Sequence, residues 1–236
     1  LHLRTNRPRT VIWYVCAAIS IWTVLPVAGD EISQIKNLMY WLHDAIRHDG
    51  GSGRPDCARN SIAMYELCKR EGRGLNCRFL AQVLSEMYLA MGFPSRFVTC
   101  QSKAYDTDTD CHVINMVWSR QLGKWIWMDA SFAAYVTDEN GLLLHPGEVR
   151  ERLIKGLPLV LNEDANWNHK TKQTKEGYLE NYMAKNLYML DAHLESRFET
   201  EPADGSGSPQ IYLVPEGFWP LSGHATYDDR YFWQAP

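Results

Sequence analysis

A chain of 236 residues that is 45% hydrophobic and 12% aromatic is long enough to bury a substantial core. Its formal net charge of -4 comes without any basic patch interleaved with aromatics, which argues against a nucleic-acid binder. The six cysteines, at positions 16, 57, 68, 77, 100 and 111, form no C-x-x-C spacing, so neither a structural zinc site nor any other metal or cofactor is expected.

The first thirty residues pair an arginine-bearing flank, LHLRTNRPRT, with the uncharged apolar run VIWYVCAAISIWTVLPVA before Gly29 and Asp30. A basic flank, an apolar centre and small residues at the end are the features of an export signal or membrane anchor, assigned here to residues 1–29. Pro26 fits a cleavage site poorly, and a buried segment of the domain is the competing reading. Export or anchoring and a cytoplasmic location thus both stay open, and residues 30–236 are expected to form one domain.

EISQIKNLMYWLHDAIRHDG places Ile32, Ile35, Leu38, Met39, Leu42 and Ile46 at helical spacing, so it is predicted as an amphipathic helix. His43 and His48, with Asp44 and Asp49, read as solvated polar groups rather than metal ligands. GGSGRPD is a turn, and SIAMYELCKREG a second, short helix with Cys68 on its buried side. Cys57 with Cys68, or Cys100 with Cys111, are pairs that an oxidising compartment would allow.

From Gly72 the pattern sharpens. Gly72 and Gly74 give a flexible approach, Asn76 is a good N-cap, and a helix is predicted from Cys77 to about Gly92, with Pro94 just beyond. Phe79, Leu80, Val83, Leu84, Met87, Tyr88 and Met91 form its buried face, which sets Cys77 on the first turn. There the free backbone N–H groups and the positive end of the helix dipole favour a thiolate, and the same N–H groups can stabilise an oxyanion. SRFVTC reads as a strand, QSKAYDTDTD as a polar loop, CHVINMVW as a strand with His112 near its start, and KWIWMDASF as a strand ending at Asp129. A short turn around Gly123 makes the last two a hairpin, bringing His112 near Asp129. Cysteine as nucleophile, histidine as base and aspartate as its orienter are the three types that thiol-dependent acyl transfer needs.

Downstream, AAYVTDENGLLL is predicted as a hairpin turning at Asn140 and Gly141 that extends the sheet, and Pro146 opens a helix through EVRERLIKG. NEDANWNHKTKQ reads as a long surface loop, with Trp167 and His169 able to reach over a cleft but more ordinarily packing the loop itself. TKEGYLENYMAKNLYMLDAHL is predicted as one long helix with a core face that includes Tyr178 and Tyr182. RFET and QIYLV read as strands, and the aromatic tail FWPLSGHATYDDRYFWQAP as a surface cover in which His224 has no evident partner.

The helix-opening Cys77, the following GFPSRFV, the strand-opening His112 and the Trp-rich WIWMDAS together resemble the transglutaminase-like superfamily over about residues 57–137. The resemblance implies a papain-like α+β fold, with helices packed on an antiparallel sheet, and catalytic roles for Cys77, His112 and Asp129. It also makes the loop from His48 to Asp56 a candidate rim of the cleft. The family's usual Asp-Pro-Thr is replaced here by Asp129, Ala130 and Ser131, so the local turn is expected to differ. The implied activity is acyl transfer or hydrolysis of an amide through a thioester on Cys77, acting on a peptide, protein or glycopeptide. No calcium site is recognisable, and similarity to small bacterial-type members favours hydrolysis. A different class of function also fits: an inactive papain-like scaffold that binds a peptide or glycan in a cleft lined by Trp118, Trp125 and Trp127. A membrane-anchored structural protein rests on the first thirty residues alone.

Overall fold

The computed structural model describes residues 29–218 and 224–236, so the export or anchor reading of residues 1–29 falls almost entirely outside it. Three helices lead in: α1 (Glu31–Ala45), α2 (Ser61–Glu71) and α3 (Cys77–Ala90). Each starts on a side-chain cap, Asp30 accepting from Ser33, Asn60 from Ala63 and Asn76 from Phe79. The α1 helix stops at Ala45, five residues short of its predicted run, and α2 ends on Gly72 in the left-handed conformation at φ 63°. Among the described residues no helix is long and apolar enough to cross a membrane.

Three strands follow, β1 (Ser95–Gln101), β2 (Cys111–Ser119) and β3 (Lys124–Met128), as the alternation predicts. They form one side of a six-stranded sheet. The other side is built late in the chain by β8 (Met189–His193), β9 (Gln210–Leu213) and β10 (His224–Thr226), giving the order β10-β9-β8-β1-β2-β3. Every pairing is antiparallel except β9 with β10. The fold is therefore α+β, with helices on an antiparallel sheet, as expected.

Both sheet faces are buried. Ile35, Leu38, Met39 and Leu42 of α1 and Leu80, Val83, Leu84 and Met87 of α3 pack on Val117, Ile126 and Met128. The opposite face, carrying Val98, Ile114, Met116, Trp125 and Trp127, is covered by Leu144, Val149, Tyr178, Leu179, Met183 and Phe232 from the C-terminal half. Trp125 and Trp127 are thus core residues rather than cleft walls.

Several predicted elements differ. Val136–Thr137 (β4) pairs with Val160–Leu161 (β5) in a separate two-stranded sheet and does not extend the main one. The helix Pro146–Lys155 (α4) forms as predicted, with His145 and Glu148 closing a capping box. The supposed surface loop after it folds into a small hairpin, Asn166–Trp167 (β6) with Thr171–Lys172 (β7). The long predicted helix is a π-helix, Lys175–Met183, with one α-helical turn to Asn186. Its last third is instead β8, whose five residues are all buried between β1 and β9, so tertiary pairing overrides the helical spacing. RFET forms no strand. The tail adds β10 and α5 (Asp229–Phe232), sending Phe232 into the core and giving the Trp125 indole N–H a partner in the Gln234 carbonyl at 3.0 Å. The five described cysteines, Cys57, Cys68, Cys77, Cys100 and Cys111, are all free.

Candidate active site

The site sits where β3 stops short. β3 pairs with β2 only from Asn115 to Ser119, so Cys111 to Ile114 have no β3 partner and the sheet has a notch there. Side chains alternate along a strand, so His112 shares a face with Ile114 and Met116, and Asp129, one residue past β3, shares the face of Trp125 and Trp127. The two fall diagonally across the hairpin, and His112 Nε2 meets Asp129 Oδ2 at 2.6 Å with both side chains 1% exposed. With Nε2 committed to Asp129, Nδ1 is the ring nitrogen left for a further partner.

That partner is Cys77. Asn76, capping α3 through the Phe79 N–H at 3.2 Å, fixes the helix start so that Cys77 occupies its first position beside the notch. The partly buried thiol lies beside the His112 and His48 side chains and the Val113 N–H. Burial alone would raise its pKa; these polar neighbours and the imidazole's charge more than offset it and bring the thiol down to about 6. Burial likewise pulls His112 down, but the charge and hydrogen bond of Asp129, then the thiol, push it up to about 10. The Asp129 carboxyl is raised by burial and, more strongly, lowered by His112, the Tyr178 hydroxyl and the Ser131 N–H. These shifts favour a thiolate beside an imidazolium backed by a carboxylate around neutral pH.

Asp129 is held by more than the histidine. The Tyr178 hydroxyl donates to Oδ2 at 2.6 Å and the Ser131 N–H to Oδ1 at 2.8 Å, so the Asp-Ala-Ser turn folds back on its own carboxylate. Phe132 and Tyr182 flank the His112 ring, at centroid distances of 5.4 and 5.5 Å, and shield it from water. The structure thus brings Cys77, His112 and Asp129 into one contact chain.

The hairpin β6–β7 closes a further side. His43, read from sequence as solvated, is 4% exposed and bridges the Ala130 carbonyl at 2.8 Å and Asn166 Oδ1 at 3.0 Å, tying this hairpin to the turn after Asp129. His48 is not free in solvent either: Trp167 Nε1 donates to its Nδ1 at 3.0 Å. Sequence reasoning placed His48 only at the start of a candidate cleft rim, without a role, and missed Tyr178 as a site residue. Their one-dimensional signals, a polar helix end and a core-facing aromatic, are those of ordinary structure, and only the packed chain reveals their partners. Among the described residues no cluster of His, Cys, Asp or Glu is arranged to hold a metal ion.

An α+β fold with a cysteine at a helix start and a His–Asp pair on the adjoining hairpin defines a class of thiol-bearing sites. Residues 24–130 match the family model of the transglutaminase-like superfamily, a span that includes Cys77, His112 and Asp129. No curated protein matches the sequence. Among solved structures, the chain is similar to a candidate cysteine protease from Cytophaga hutchinsonii, at 16% identity and a TM-score of 0.37, over 58% of this chain and 46% of that one. It is also similar to LapG of Legionella pneumophila. The calcium-bound structure gives 14% identity and a TM-score of 0.36, over 67% and 79% of the two chains; a second structure gives 14% and 0.36, over 72% and 84%. The chain spans just under half the length of the Cytophaga protein, and at these scores the likeness adds nothing to the family match.

Proposed function

We propose that the protein is a cysteine-dependent hydrolase or acyltransferase that cleaves an amide bond of a peptide, protein or glycopeptide through a thioester on Cys77. The observation that carries this reading is the contact chain from the half-buried thiol through a buried imidazole to a buried carboxylate, with the His112–Asp129 link at 2.6 Å. The Cys77 thiolate attacks the carbonyl carbon, forming a C–S bond and moving the π electrons onto oxygen. As the intermediate collapses, the C–N bond breaks and imidazolium His112 gives its proton to the departing amine. Water then attacks the thioester while neutral His112 takes its proton; the C–S bond breaks, releasing the acid and restoring the ion pair. An amine in place of water gives transfer instead.

Hydrolysis is taken as the second half-reaction, in keeping with the small bacterial-type members that the sequence resembles. In the same reading residues 30–236 act as one domain, and the basic and apolar N-terminal stretch serves export or anchoring, testable by fractionating cells that express the full chain. The direct test is p-nitrophenyl acetate. A burst of p-nitrophenolate equal to the protein concentration, with an acetyl group on Cys77 by mass spectrometry that decays in water, is the expected result. An adduct absent from Cys77 would overturn the proposal, and faster decay with added methylamine would assign transfer over hydrolysis.

A further inference from the structure

The segment before Cys77 is clamped against a second chain segment that contains His48. Asp49 N–H donates to the Leu75 carbonyl at 2.7 Å and Leu75 N–H to the Arg47 carbonyl at 3.2 Å, so His48 and Leu75 pair as a parallel bridge two residues before the cysteine. The approach is close enough that a Cβ on Gly74 would lie 2.6 Å from the Arg47 carbonyl oxygen, so only glycine fits. From the other side the hairpin tip grips the same residue: the His48 N–H donates to Asn168 Oδ1 at 2.7 Å and Asn168 Nδ2 donates to the His48 carbonyl at 2.9 Å. Asn168 and His169 reach this grip at φ 52° and 56°, in the left-handed region that costs most side chains energy.

The grip sets the ring as well as the backbone. An indole N–H can only donate, so the 3.0 Å bond from Trp167 Nε1 requires an unprotonated Nδ1 on His48 and places the ring's proton on Nε2. The side chain so oriented lies beside the Cys77 thiol and helps to lower its pKa. Phe132 packs near both imidazoles, with centroids 6.3 Å from His48 and 5.4 Å from His112. The two histidines therefore differ in kind. His112 is backed by a carboxylate, which favours its charged form and suits it to moving protons. His48 is backed by a donor, which makes it a fixed N–H aimed at the reacting atoms.

We propose that His48 Nε2–H is the side-chain oxyanion donor of this site, working with the Cys77 backbone N–H at the start of α3, and that Trp167 is the positioning residue that fixes its tautomer. This rests on the thioester reading above. In the resting state the His48 N–H faces the thiolate. When sulfur attacks, negative charge passes from sulfur to the carbonyl oxygen, and a donor already aimed at the crevice follows the charge without reorganising.

The experiment compares two reactions of the same thiolate in the full chain. Acylation by p-nitrophenyl acetate passes through an oxyanion; alkylation by iodoacetamide does not. Both are measured across pH and compared at their plateaus, so a changed thiol pKa does not enter. In His48→Ala the acylation plateau is expected to fall about 100-fold with alkylation within about threefold. His48→Gln, which keeps an N–H donor, should recover at least a tenth of the lost rate, and Trp167→Phe should lower acylation several-fold with alkylation unchanged. Equal losses in both reactions, or acylation unaffected in His48→Ala, would overturn the assignment. A wild-type protein that shows no acetyl adduct on Cys77 at all overturns the thioester reading itself, a result distinct from either.

Discussion

Tyr178 and His112 donate to the same oxygen of Asp129, each at 2.6 Å, so the carboxylate that supports the imidazole is itself anchored from the C-terminal half of the chain. The covering layer is therefore part of the site's electrostatics. Residues 175–183 are not a dispensable addition to the core that the family model matches.

Tyr178→Phe removes a hydrogen bond to a buried charged group while keeping the ring that packs on Trp127 and Phe132. Stability should fall by about 1.5 kcal/mol in urea unfolding. Acylation of Cys77 should slow several-fold, because the freed carboxylate no longer holds His112 in one orientation. Unchanged stability and rate would mean that the tyrosine merely fills space.

Asp129→Asn should be far more severe. It takes away the charge that favours imidazolium His112, leaving a buried ring whose charged form has lost its main support. Acylation should drop on the order of 100-fold or more, and the high-pH limb of the rate profile should move down from about 10 as burial takes over. A profile that keeps its high-pH limb would assign that limb to another group.

Asn76 separates the cap from the charge. Asn76→Asp keeps an acceptor for the Phe79 N–H, so melting should change little, yet it adds a negative charge next to Cys77 and should move the thiol's titration to higher pH. Asn76→Ala should instead cost about 1 kcal/mol of stability. Alkylation profiles and thermal melts of the two variants together decide the matter.

Glu86 on α3 is a second pH-sensitive point, remote from the chemistry. Burial raises its carboxyl from 4.5 to about 7, against the opposing N–H groups of Ser61 at 2.6 Å and Glu199 at 3.0 Å. Between those two pH values the folded chain holds a proton that the unfolded chain has released, so this group's contribution to stability falls as pH rises through the window and is level outside it. The stability advantage of wild type over Glu86→Gln should shrink by about 3 kcal/mol from pH 4.5 to 8. A constant difference would show that Glu86 is ionised throughout.

Much of this was legible in one dimension because it is local. Asn76 before a run with helical periodicity fixes α3 and the place of Cys77, and the alternation around His112 and Trp125 to Asp129 fixes a hairpin whose diagonal pair is the His–Asp link. What escaped was tertiary. Met189 to His193 continue a helical spacing, and only their burial between β1 and β9 makes them a strand. His48 lies 29 positions before the cysteine, and nothing along the chain announces that Leu75 pairs with it or that Trp167, 119 residues on, sets its ring. Tyr178 shows its apolar ring to periodicity and keeps its hydroxyl's partner hidden.

The most direct test is the rate of Cys77 alkylation by iodoacetamide as a function of pH, read by mass spectrometry in the wild type and in His112→Ala. In the wild type the rate should rise with a midpoint near 6 and level off at neutral pH, and in His112→Ala that midpoint should move well upward, since burial then outweighs the remaining polar neighbours. A wild-type midpoint in the ordinary thiol range, unmoved by loss of His112, would contradict a thiolate held ready by the imidazole.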